Sequence, residues 1–73
     1  MDKYFKSVYR IKSQLTEIDQ SLEHLSITLK RVEKDSINAI NITKAIKHLN
    51  VVKHNLQESL NELQPSSNIA LNQ

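Results

Sequence analysis

The first half of the chain carries a ladder of apolar residues that leaves few folds open. Tyr4, Val8, Ile11, Leu15, Ile18, Leu22, Leu25, Leu29 and Val32 follow one another at alternating steps of four and three. That spacing keeps every member on one stripe of an α-helix and is the spacing of a coiled-coil seam, whereas a strand needs alternation at every second residue. A helix is predicted over about 3–33, with Asp2 as its N-cap. Beside the seam, Ser7, Gln14, Ser21 and Thr28 fall on one line and are all uncharged, so this flank can pack against another helix without burying charge.

The second half repeats the logic with a broader stripe: Ile42, Ala45, Ile46, Leu49, Val52, Leu56, Leu60 and Leu63, with Ala45 and Ser59 as small seam residues. A second helix is predicted over about 37–63. Pro65 stops it, because a proline pushes the residue before it out of the helical region. The remainder, 65–73, is expected to be a flexible C-terminal tail.

Between the stripes lies RVEKDSINAINI, residues 31–42, with neither glycine nor proline. The two stripes are out of phase here, and polarity rises through Glu33, Lys34, Asp35 and Ser36, either of the last two being able to cap a new helix. Folding back near residue 34 sets positions that sum to about 67 or 68 opposite each other. Tyr4 then meets Leu63, Val8 meets Leu60, Ile11 meets Leu56, Leu15 meets Val52, Ile18 meets Leu49, Leu22 meets Ile46 and Leu25 meets Ile42. Charges agree with this alignment: Lys6 comes level with Glu62, Arg10 with Glu58, and Glu17, Asp19 and Glu23 with Lys53, Lys47 and Lys44. A parallel arrangement would stack like on like. The expected fold is therefore all-α, an antiparallel two-helix hairpin of coiled-coil type with its turn at about 33–37, associating into a four-helix bundle or with a partner helix. A domain-swapped dimer of two long straight helices makes the same contacts between chains. The hairpin is preferred because short helix–helix loops are common and the phase break falls where the loop belongs.

At 73 residues, 38% hydrophobic and with three aromatic residues, the chain is below the size at which one core is comfortably self-sufficient. Phe5, Tyr9, Ile27, Ile37, Ile40 and Val51 are apolar yet lie off the stripes, which makes them candidates for a surface that binds a partner protein or a second copy, a dimer being favoured. The chain has no cysteine, which excludes disulfides and thiolate metal sites. No apolar run approaches the ~20 residues that cross a bilayer, and MDKYFKSVYR lacks the apolar stretch of a signal peptide, so a cytoplasmic protein without membrane contact is expected.

Chemistry is weakly signalled. His24, His48 and His54 lack the i, i+4 spacing that aims two imidazoles at one metal, and Glu17, Asp19 and Glu23 face lysines rather than a pocket. No cofactor, metal or enzymatic activity is expected. The basic run Lys44, Lys47, His48 and Lys53 supports an alternative reading as a small nucleic-acid-binding regulator, although aromatic residues are not interleaved with it and the net charge is only +2. A glycine-free composition rich in Asn, Ile, Lys and Ser fits an AT-rich bacterial or phage genome. In size and paired-helix plan the chain resembles several small bacterial helical hairpins, including the co-chaperones of type III secretion needle subunits. That resemblance is one of architecture and rests on no motif residue. The reading that the residues support is a non-enzymatic adaptor, chaperone or inhibitor working through apolar helix faces.

Overall fold

The computed structural model describes residues 4–64, in which two helices, α1 (Phe5–Arg31) and α2 (Ile37–Leu63), pack against each other as an antiparallel hairpin. Asp2 and the segment 65–73, including Pro65, lie outside the described residues. α1 begins at Tyr4, whose carbonyl accepts from Val8 N at 2.8 Å and whose side chain makes no cap hydrogen bond. It ends with Lys30 and Arg31 in its last turn, where cations oppose the partial negative charge of the unpaired carbonyls.

The chain reverses in five residues. Val32 is extended (φ −93°, ψ 157°), and Ser36 N donates to Glu33 O at 3.2 Å to close a four-residue turn. Asp35, the third residue of that turn, has φ 66°, the only positive value in the described chain. A turn of this kind requires the left-handed region at its third position, and aspartate enters it at lower cost than most residues because its short polar side chain bonds locally. Of the two candidate caps, Ser36 is the one used. Its hydroxyl accepts from Ala39 N at 3.1 Å, satisfying one amide that the first helical turn leaves without a partner.

The two stripes meet as a seam, with helix 2 corrected at Val52 and Ser59. Its covered positions are Ala39, Ile42, Ile46, Leu49, Lys53, Leu56, Leu60 and Leu63, a strict alternation of three and four. Val52 is not among them: it is 44% exposed. Ser59 is exposed as well, and Ala45 is half-buried at the edge of the seam. The heptad advances through Lys53 because two helices in coiled-coil contact stay in phase only at that spacing. The lysine tolerates the position by laying its aliphatic stem over the seam and sending its ammonium outward to Asp19 Oδ1, 2.7 Å away.

The molecule measures 50 × 24 × 15 Å. A helix with its side chains is about 10–12 Å across, so this is a slab two helices wide and one helix thick. Side chains in the seam are screened sideways by the neighbouring helix but open to water above and below. Only Val8 and Ala39 are buried among the described residues; the rest of the seam is half-buried, apart from Tyr4, which is 41% exposed. Soluble domains normally close their core with a second layer.

Candidate interaction site

The heptad register divides the slab into two broad faces of different character. Val8, Leu15, Leu22 and Leu29 of α1 lean toward one face, together with Ala39, Ile46, Lys53 and Leu60 of α2. This face carries charge on its α1 flank, where Lys12 and Asp19 stand beside the seam, and the Lys53–Asp19 ion pair bridges the two helices across it. At its turn end a groove of about 720 Å³ opens between the helices, floored by Leu29, Val32, Ala39 and Ile40. Lys30, Lys34, Lys44 and Lys47 line the same groove, with Asp35 as its one acid. None of these lysines forms an ion pair with a described residue.

The opposite face is built on Ile11, Ile18 and Leu25 of α1 and Ile42, Leu49, Leu56 and Leu63 of α2. Its flanks are Ser7, Gln14, Ser21 and Thr28 on one helix and Asn38, Ala45, Val52 and Ser59 on the other. No residue of this strip is charged, in a chain of which 25% is charged. The hydroxyl of Thr28 donates to His24 O at 2.9 Å, so this flank residue presents no unpaired donor. Midway along lies a shallow depression of about 680 Å³ over Leu25, Leu49 and Ser21, with Glu17 and His24 on its rim. Charged residues return only at the two edges, as Arg10, Glu17 and Arg31 along α1 and as Glu62 along α2, with the imidazoles of His24 and His48 beside them.

The apolar residues that lie off the stripes are all exposed: Phe5 64%, Tyr9 65%, Ile27 43%, Ile37 74%, Ile40 47% and Val51 55%. They do not form one patch. Phe5 and Tyr9 sit at the open end, Ile40 reaches the groove at the turn end, and Ile37 and Val51 share an outer line of α2 with Lys44 between them. Of the basic candidates, Lys44 and Lys47 come together at the groove, His48 lies on the edge of the opposite face, and Lys53 is engaged by Asp19. The gathering of Lys30 and Lys34 with them depends on the reversal of the chain and has no linear signature.

The predicted cross-helix charges are realised in part. Among the described residues the one Lys or Arg ion pair is Lys53–Asp19; within α2, His54 Nε2 lies 3.7 Å from Glu58 Oε1, and Lys6 and Arg10 do not close on Glu62 or Glu58. Those side chains are exposed, where an ion pair gains at most ~1 kcal/mol over hydration. No group of three or more His, Asp or Glu among the described residues is placed to hold a metal ion, and no described helix is long and apolar enough to cross a membrane. Comparison of the chain with family models, with curated proteins and with solved structures finds no match.

Proposed function

We propose that this chain is a small non-enzymatic interaction protein, an adaptor, chaperone or inhibitor, whose apolar helix faces are covered by a partner protein or by a second copy of itself. The observation that carries this reading is the single-layer slab: a seam of large aliphatic residues in which only Val8 and Ala39 are buried. Half-covered Leu and Ile side chains forgo much of the ~1.5–3 kcal/mol that full burial of each supplies, and a docked helix recovers it. Resin-bound protein, incubated with extract of its native host and washed in about 0.5 M salt, should retain either a protein partner or added free copies of the chain, since apolar docking holds or strengthens with salt. Retention of neither at high salt refutes the reading.

One observation favours the rival reading as a nucleic-acid-binding regulator. Lys30, Lys34, Lys44 and Lys47 line one groove in which Asp35 is the single lining acid, which is a geometry that phosphates can follow. Phosphate binding by such a cluster loses affinity steeply between 50 and 200 mM salt, by a factor of about 3 for each phosphate contact and on the order of 100 for four. A titration of labelled duplex and single-stranded oligonucleotides across that range separates the two.

A further inference from the structure

We infer that the charge-free face is an isologous interface, on which a second copy of this chain stacks turn over turn to form a four-helix bundle. The inference rests on the interaction reading above and specifies its partner. Five observations support it. The strip from Ser7 to Thr28 on α1, and from Asn38 to Ser59 on α2, presents aliphatic seam residues flanked only by small or uncharged side chains, so covering it strands no ion. The other face cannot be covered as cheaply, because it carries the Lys53–Asp19 pair, whose desolvation costs several kcal/mol per ion.

Area gives the second constraint on the occupant. Two helices of 27 residues each make a face about 40 Å long and roughly 20 Å wide, near 800 Å² per copy, which is the share of each partner in a standard stable interface. The depression over Leu25 and Leu49 opens onto that face along its α1 side, and it offers a seat for a side chain of a second copy.

The edge charges set the orientation. With the twofold axis along the hairpin, α1 of one copy lies over α2 of the other, and Arg10 comes to Glu62 near the open end in two symmetric pairs. Turning the second copy end for end instead stacks α1 on α1. Glu17, near the middle of that helix, then meets its own symmetry mate, and Arg10 approaches Arg31. Like charges at an interface edge select against that arrangement.

The test uses the full chain. Sedimentation equilibrium should give twice 8.4 kDa for the wild type. Ala45→Glu with Val52→Glu, both on the charge-free face, should weaken the dimer at least tenfold, while Asn50→Glu with Gln57→Glu, on the flank of the other face, should leave it unchanged. A wild-type protein that stays monomeric overturns the inference but leaves the broader interaction reading standing, since a different partner is still open to capture at high salt. A dimer that survives the first pair and is lost with the second also overturns it. The absence of cysteine permits a measurement that does not depend on the glutamate variants folding. A spin label on Asn38→Cys should report a pair distance below ~20 Å in the turn-over-turn dimer, against about 40 Å, one helix length, if the copies run end for end. The longer distance refutes the orientation.

Discussion

Replacing Lys53 by leucine should stabilise the hairpin, and the size of the gain follows from where the lysine sits. Its side chain is 32% exposed, so roughly two thirds of a leucine placed there would be covered, worth ~1–2 kcal/mol of the ~1.5–3 kcal/mol available on full burial. Against this stands the lost ion pair with Asp19. That carboxylate is 56% exposed and stays hydrated without its partner, so the loss is ~0–1 kcal/mol. The net gain is about 1 kcal/mol, or a rise in Tm of roughly 4–8 °C for a domain of this size. Thermal melts followed by far-ultraviolet circular dichroism, at one fixed protein concentration, measure it. Lys53→Glu reverses the sign, since it sets a carboxylate beside Asp19 over a half-covered seam, and should lower Tm by at least as much. If Lys53→Leu leaves Tm unchanged or lowers it, the heptad does not pass through residue 53, and Val52 is the seam residue after all.

The turn offers two further tests. Asp35→Gly should raise stability by ~0.5–1 kcal/mol in urea titrations, because glycine carries no penalty at φ 66°, whereas Asp35→Ile should lower it by ~1–3 kcal/mol. Inserting four Gly and Ser residues between Lys34 and Asp35 should preserve helix content, since lengthening a loop adds little closure entropy; loss of most of the helix signal would show that the chain does not reverse there. Leu22→Asp or Leu49→Asp sets a carboxylate in the half-buried seam and should abolish the cooperative melt, and retention of a near-native Tm would mean that the core is elsewhere. Phe5→Ala with Tyr9→Ala removes rings that are 64% and 65% exposed and should change stability by no more than ~0.5 kcal/mol, so a large fall in Tm would place them in the core.

α1 was legible from spacing alone, because its seam positions have no competing apolar neighbour beyond Tyr9. α2 offers two solutions at its middle, where Val51, Val52 and Lys53 are consecutive. Hydrophobicity selects Val52, and phase selects Lys53. Phase wins because the seam is a geometric contact along the whole helix, and a lysine stem fills one position at small cost when an aspartate stands within reach. The same ambiguity hides half of the charge-free face. Ser7, Gln14, Ser21 and Thr28 declare their flank in the sequence, but Ala45 and Val52 pass for seam residues until the phase of α2 is known, and the matching flank of α2 is then invisible. The lysine-rimmed groove is hidden for another reason: Lys30 and Lys34 approach Lys44 and Lys47 only when the chain has folded back.

The two faces impose different conditions on whatever covers them, and this couples folding to association. A half-covered seam leaves a hairpin of this length with little stability to spare, since ordering each residue costs ~1–2 kcal/mol of backbone entropy. Anything that binds the folded slab and not the unfolded chain adds to its stability by mass action. A second copy on the charge-free face makes that contribution grow with the concentration of the chain itself, and it leaves the opposite face, with its Lys53–Asp19 bridge and its lysine-rimmed groove, turned to solvent on both sides of the bundle. A partner admitted to that outer face must then bring acidic groups to meet Lys30, Lys34, Lys44 and Lys47 and apolar groups to meet Leu29 and Ile40, because burying four ammonium groups without counter-charges costs more than the groove's apolar floor returns.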